Sequence, residues 1–334
     1  MSHIQYNLQF EALCRQLRLG EVIGIPEAIS GGFLHRMYAV ETATGKYAIK
    51  ALNPQIMLRP TAMANYIASE DIASIAAGKV GALPAIRANG TCLHEIEDQY
   101  YLVFDWIDGS SLTSAEITPE HCMKMGDVLA ELHLTDFSGL NIPDHRSEGA
   151  QPINWNRYLQ LGRENDAEWL NLLLEDQGML TEWNAQAIES EKLLSAELVI
   201  SHRDLDPKNV LWNQGSPVVI DWEAAGYVNP MKELIETAMY WSENTIGLTD
   251  QEKFTALING YKQRYGLPQA NWSMVLAGIF GGKLDWLEYN LKRSLWIECT
   301  DPQEQRIGTV QVTETIQGIK RYADAIPQIV NWLR

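Results

Sequence analysis

The chain has 334 residues, 46% apolar and 21% charged, with a formal net charge of −17 at pH 7. That length and composition allow a large core and exceed one small domain, so two lobes are expected, while so acidic a surface excludes nucleic acid and anionic lipid as partners. No stretch approaches the roughly 18 apolar residues of a membrane span, the N-terminus lacks a basic flank followed by an apolar run, and Cys14, Cys92, Cys122 and Cys299 form no metal-ligand or redox pair. A cytoplasmic protein with reduced thiols is the expectation.

In chain order, a helical stretch over about Leu8 to Leu19 precedes strand-like runs at Val22 to Ile29, Arg36 to Glu41 and Lys46 to Leu52, separated by glycine and turn residues. A helical run from about Thr61 to Ala77 follows, then a Gly/Pro-broken segment and the apolar strand Tyr100 to Phe104. After the polar stretch Asp105 to Ser111 the pattern changes to long amphipathic helices. Thr118 and Pro119 open the first of them as N-cap and first helical residue. Residues 141 to 165 read as a loop or insertion, and Trp155 to the C-terminus as mostly helical apart from one short β interruption. The predicted organisation is a nucleotide-binding lobe over 1–104, a hinge at 105–111 and a catalytic and acceptor-binding lobe over 112–334.

The β interruption carries the strongest signal. It reads Val199-Ile200-Ser201-His202-Arg203-Asp204-Leu205-Asp206-Pro207-Lys208-Asn209-Val210-Leu211-Trp212, followed by Val218-Val219-Ile220-Asp221-Trp222-Glu223. Phosphoryl transfer to a hydroxyl needs a carboxylate to accept the hydroxyl proton and oxygen ligands to hold magnesium on a triphosphate. A loop of the form H-x-D-x-x-x-x-N followed by a strand ending in Asp supplies both. Asp204 is then the base, Asn209 and Asp221 are the metal ligands, and one hairpin is expected to build the whole floor. His202 is read as a packing residue of the loop.

These segments resemble the aminoglycoside phosphotransferase and choline kinase family, relatives of the protein kinases. The loop from His202 to Leu211 is similar to that family's H-G-D-L-H-P-x-N-x-L pattern, Ile220 to Glu223 to its I-D-[WF]-[ED] segment, and Leu129-Ala130-Glu131-Leu132-His133 to its L-A-x-L-H helix. The resemblance implies an α+β fold of the bilobal protein-kinase-like type: a small antiparallel sheet with one long helix, and a larger, mainly helical lobe. It implies ATP or GTP and Mg2+ as cofactors, and a small hydroxyl-bearing acceptor. Lys50, ending the strand Tyr47-Ala48-Ile49-Lys50, matches the lysine of the α- and β-phosphates. Its expected ion-pair partner is an acid on the following helix, Glu70, since the neighbouring Asp71 points about 100° away. Ser30, Gly31 and Gly32 match the phosphate loop, where glycine lets backbone N–H groups approach. Phe104, Trp106 and Ile107 match the hinge that meets the base.

Two departures stand out: Arg203 where the family usually has Gly, and Asp206 where it has His or Lys. Asp206 either makes the floor more negative or caps the turn. The first 104 residues hold eight Lys/Arg against nine Asp/Glu, and the remainder 18 against 34, so the acceptor side carries nearly all of the imbalance. With Asp206, Glu223, Asp285, Trp286 and Glu288 as candidate acceptor residues, this suits a cationic molecule such as an aminoglycoside. Choline, homoserine or methylthioribose are the alternative acceptors. A protein kinase is disfavoured by I-D-W in place of D-F-G and by the lack of an A-P-E segment. A nucleotide-binding pseudoenzyme is disfavoured because all three catalytic residue types are present.

Overall fold

A computed structural model describes residues 5–29, 34–142, 151–266 and 269–333. The predicted phosphate-loop residues Ser30, Gly31 and Gly32 lie outside them. An antiparallel sheet in the order β1-β2-β3-β5-β4 is formed by β1 (Val22–Ile29), β2 (Arg36–Thr42), β3 (Gly45–Ala51), β4 (His94–Ile96) and β5 (Gln99–Asp105). Edge strand β1 contains Pro26 and slips register between Ile23 and Glu27, features tolerated only where no further strand must pair. In β5 the two-residue period sorts the side chains. Tyr101 and Val103 pack on α1 (Phe10–Leu17), while Leu102 and Phe104 face the other way. There they meet Ala62 and Tyr66 of α3 (Ala62–Ala76), which follows the single turn α2 (Pro54–Met57).

The helical part begins with α4 (Pro119–Leu134). The Thr118 hydroxyl accepts the His121 N–H and Pro119 opens the helix, as the sequence implies. Next come α5 (Trp155–Glu164) and α6 (Leu170–Leu194). Helix α5 lies within the expected loop or insertion over 141–165 and agrees with the helical reading from Trp155 onward. Asn154 caps the Arg157 N–H, and Trp155, Tyr158 and Leu159 bury one face of α5. The remaining helices are α7 (Pro230–Ser242), α8 (Gln251–Tyr265), α9 (Trp272–Ser294) and α10 (Pro302–Trp332). Gly281 and Gly282 lie inside α9, where packing of α9 on α6 and α10 outweighs the roughly 1 kcal/mol that each glycine costs a helix. One contiguous core runs through this part, with Trp169, Trp222 and Trp241 fully buried.

Between α6 and α7 lie β6 (Val199–Ser201), β7 (Val210–Asn213), β8 (Ser216–Val219) and β9 (Gly226–Val228). Here the expected single hairpin is corrected. β7 pairs with β8, whereas β6 pairs with β9, so the polar loop leaves one two-stranded ribbon and enters another. The N-terminal part joins this region through Leu83 N–H to Val219 O (3.0 Å) and Val219 N–H to Gly81 O (2.7 Å). The fold is the bilobal one implied by the sequence, an antiparallel sheet lobe and a mainly helical lobe. No helix among the described residues is long and apolar enough to cross a membrane.

Candidate active site

The loop between β6 and β7 is stitched to the segment after β8 from within. His202 is fully buried; its Nε2–H donates to the Ile220 carbonyl (3.0 Å) and its Nδ1 accepts the Asp204 N–H (3.3 Å). A second tie runs from Ile220 N–H to Asn209 O (2.9 Å). One ring and one backbone bond thus hold Asp204 and Asp221 on adjoining segments, which is a structural role for the histidine. Arg203 and Asp221 both sit in the left-handed region, at φ 68° and 62°. Asp tolerates this conformation, and the family's Gly at the Arg203 position has no Cβ penalty there.

Asn209 donates through Nδ2 to both the carbonyl (2.9 Å) and Oδ2 (2.8 Å) of Asp204. Spending both amide hydrogens this way leaves Oδ1 as the acceptor face of Asn209. Burial, reinforced by the negative charges of Asp206 and Asp221, pushes the Asp204 carboxyl above its ordinary value, against the pull of Lys208 and His202. Asp206 caps the turn that follows, its Oδ1 accepting the Lys208 N–H at 2.9 Å. The Asp206 side chain also borders a cavity of about 190 Å³ together with Ser114, Ile117, Tyr240, Glu243 and Asn244.

Lys50 crosses from β3 to the same floor. Its ammonium lies 2.5 Å from Asp221 Oδ1 and 2.9 Å from Glu223 Oε2. Burial works to lower the Lys50 pKa, but the two carboxylates outweigh it and hold the amine charged. Glu223 faces this ammonium rather than the acceptor cavity, a correction to its expected place. The expected Lys50–Glu70 ion pair is also corrected. Glu70 is 2% exposed, and its Oε2 accepts the Ala85 N–H at 2.6 Å, fixing the segment that leads into β4. Burial, opposed by that N–H and by Lys50, pushes the Glu70 carboxyl up to about 7. Among the described residues no ion pair joins it to Lys50.

The other expected positions are spread more widely. Phe104 is core, under α3. The Trp106 N–H is spent on Lys46 O (3.2 Å), and the Lys46 ammonium covers the Trp106 ring at 3.7 Å from its centroid. Ile107 is half-buried just beyond, its carbonyl accepting the Gly109 N–H at 3.1 Å. Glu288 is engaged by the Tyr158 hydroxyl (2.7 Å) and by Lys292 (3.1 Å), Trp286 lies against Tyr289, and Asp285 neighbours Glu191 and Lys232. Among the described residues no hydrogen bond or ion pair ties Asp285 or Glu288 to the Asp204 loop; the cavity beside Asp206 is instead lined by Tyr240 of α7 and Glu243 just after it.

Sequence reasoning passed over two further residues. Glu233 of α7 is 1% exposed and accepts the Arg203 N–H (2.5 Å) and the His133 Nε2–H (2.8 Å). His35 is 5% exposed; its Nδ1 accepts the Asn53 N–H (2.9 Å), so its Nε2 carries the hydrogen and faces Tyr66 Oη (2.7 Å) and Glu223 Oε2 (3.2 Å). The histidine in the L-A-x-L-H match was a signal for the first, and a histidine opening a strand was a weak one for the second.

No group of three or more His, Cys, Asp or Glu among the described residues forms a metal cage. A magnesium ion shared with triphosphate oxygens needs only one or two protein oxygens, so the Asp221 carboxylate and the Asn209 Oδ1 fit that kind of site. Asp221 already holds a cation, the Lys50 ammonium.

A model of the family described as "Phosphotransferase enzyme family" matches residues 26–271. Among solved structures, a spectinomycin phosphotransferase in complex with ADP and spectinomycin is similar over 97% of this chain and 100% of its own, at 12% identity and a TM-score of 0.68. An amicoumacin kinase in complex with AMP-PNP and Ca2+ covers 93% of this chain and 94% of its own at 13% identity (TM-score 0.63), and a choline kinase from Cryptosporidium parvum 97% and 98% at 15% (TM-score 0.54). With the matched region running from β1 to the end of α8 and enclosing Lys50, the Asp204 loop and Asp221, the chain belongs to the phosphotransferase enzyme family and is a small-molecule kinase.

Proposed function

We propose that the chain transfers the γ-phosphoryl group of ATP or GTP, with Mg2+, to a hydroxyl of a small cationic molecule of the aminoglycoside class. Residues 1–104 hold the nucleotide, 105–111 act as the hinge, and 112–334 supply the floor and the acceptor pocket. The observation that carries this reading is the meeting of four groups on one floor: Asp204 bonded by Asn209 at 2.8 Å, and Asp221 facing Lys50 at 2.5 Å.

In the reaction, Asp204 takes the acceptor hydroxyl proton as that oxygen forms its bond to the γ-phosphorus. The bond from phosphorus to the β–γ bridging oxygen breaks, and its electrons leave with the nucleoside diphosphate. Asn209 keeps the Asp204 carboxylate turned toward the acceptor, and Lys50 neutralises charge on the α- and β-phosphates. When bound, the metal supplies charge neutralisation on the triphosphate, held by Asp221 and Asn209. Little covalent chemistry is asked of the protein, because the transition state is loose and positioning dominates.

The cavity beside Asp206 supports a cationic acceptor. Glu243 lines it with Tyr240, and the charges of Glu236, Asp204 and Asp206 all act on the Tyr240 hydroxyl. An ammonium group placed there meets carboxylates and an aromatic ring. The test is nucleoside-triphosphate turnover by the purified protein with magnesium across aminoglycosides, choline, homoserine and other amino alcohols. Stimulation by one amine-bearing acceptor is expected, with Asp204→Ala lowering turnover about 10²–10⁴-fold, the usual contribution of a positioned base. Stimulation by none, or full turnover in the variant, refutes the reading.

A further inference from the structure

The site leaves open which acid holds Lys50 in place while a nucleotide is bound. Asp221 cannot serve both Lys50 and a metal at full strength, and Glu70 is committed to the Ala85 N–H. Glu223 is the remaining carboxylate in contact with the ammonium, and it is braced from behind. The His35 Nε2–H lies 3.2 Å from the same Oε2 that meets Lys50.

The brace is itself fixed. Asn53 donates its N–H to His35 Nδ1 (2.9 Å), which sets the tautomer, and its Oδ1 accepts the Gln55 N–H (2.9 Å) at the start of α2. Its Nδ2 donates to Glu304 Oε1 (2.6 Å) on the first turn of α10, and Glu304 Oε2 accepts the N–H and the hydroxyl of Thr300, both at 2.6 Å. A chain of hydrogen bonds therefore runs from the α9–α10 connection in the helical lobe through Asn53 to His35 in the sheet lobe, where His35 Nε2 stands 2.7 Å from Tyr66 Oη and 3.2 Å from Glu223 Oε2. The same connection meets the sheet lobe through Arg36 and Asp301 (2.6 Å) and through Arg59 and Glu298.

We propose that Glu223, rather than an acid of α3, is the carboxylate that holds Lys50 on the nucleotide phosphates, and that His35 is the positioning residue that aims Glu223. The proposal rests on the reading of Lys50 as the phosphate lysine. With the His35 ring against it, Glu223 keeps a fixed oxygen on the ammonium when Asp221 turns to the metal. Without His35, Glu223 is free to follow Lys50 and no longer sets its direction.

The test is calorimetric binding of MgADP and MgATP to the full chain, with thermal melts alongside. Glu223→Gln is expected to weaken both nucleotides about tenfold or more, the loss of about 1.4 kcal/mol of charge interaction, and Glu70→Gln to leave nucleotide affinity within about twofold of wild type. His35→Asn places an oxygen where Nδ1 accepts from Asn53 but cannot reach Glu223, so it weakens nucleotide binding with little change in melting temperature. His35→Gln, which spans the full distance, recovers most of the loss. Combined with Glu223→Gln, His35→Asn adds nothing further, as for two residues acting through one contact. Equal losses in Glu70→Gln and Glu223→Gln, or additive losses in the double variant, overturn the assignment. Wild-type protein that binds no nucleotide overturns the phosphate-lysine reading and the assignment with it, whereas wild-type binding that is unchanged in Glu223→Gln overturns the assignment alone.

Discussion

Replacing Glu233 by alanine removes the acceptor of two buried donors at once, the Arg203 N–H at 2.5 Å and the His133 Nε2–H at 2.8 Å. Each bond involves a charged acceptor and is worth about 1.5–3 kcal/mol, and stripping one side of a buried pair costs about 3–5 kcal/mol in total. Part of the effect is local, because Arg203 occupies a left-handed backbone conformation next to Asp204 and its N–H is held by Glu233 alone among the contacts described. Urea unfolding is expected to give a loss of about 3–5 kcal/mol for Glu233→Ala and a smaller one for Glu233→Gln, which keeps the shape and one acceptor. The sign with pH follows from the carboxyl. Burial acts to raise its pKa, but His133 and the Arg203 N–H outweigh burial and hold it below the ordinary value. Its stabilisation is then fully present above the unfolded carboxylate pKa and is lost as pH falls through the lower folded value, so the gap between wild type and variant closes in acid. A loss below about 1 kcal/mol in Glu233→Ala refutes the account.

Three further outcomes follow from other elements. A Cβ on Gly126 would lie 2.1 Å from the Leu257 carbonyl oxygen where α4 crosses α8, so Gly126→Ala is expected to cost about 3 kcal/mol in urea unfolding, at the upper end for overpacking; an unchanged midpoint contradicts the close crossing. Arg203→Gly removes the left-handed penalty of about 1 kcal/mol, partly offset by glycine's freer unfolded chain, and is expected to leave stability equal or slightly higher; a loss above about 1 kcal/mol contradicts the strain argument. The Glu70 carboxyl, raised to about 7 by burial, favours the fold most below its unfolded pKa and that benefit is lost as pH rises to about 7. Glu70→Gln is therefore expected to gain stability relative to wild type between pH 5 and pH 8 in chemical unfolding, and a constant difference across that range refutes it.

The sheet strands, α3, the cap of α4 and the order of the motifs were legible because each depends on residues close in sequence. A two-residue or 3.6-residue period, a Thr-Pro start and the five-residue step from Asp204 to Asn209 carry their geometry with them wherever the chain packs. That step places the Asn209 amide on Asp204 within one loop. The pairing of β6 with β9 rather than with β7 was not legible, since short apolar strands of similar composition leave their partners to the packing of the elements around them.

The sequence by itself determined the family, the kinase-like fold and the loop that brings Asp204 and Asn209 together. Tertiary structure alone decided which charges meet. Lys50 and Glu223 are separated by 173 positions, and His35 precedes β2, Asn53 caps α2 and Glu304 lies in α10. The sequence pointed to Glu70, on the helix after the lysine's strand, and not to Glu223. Only the Ala85 N–H, which claims Glu70, and the His35 ring, which aims Glu223, separate them. Ion pairing falls off with distance and depends on burial, so it is fixed by the packing of sheet on helix and is invisible in the order of residues along the chain.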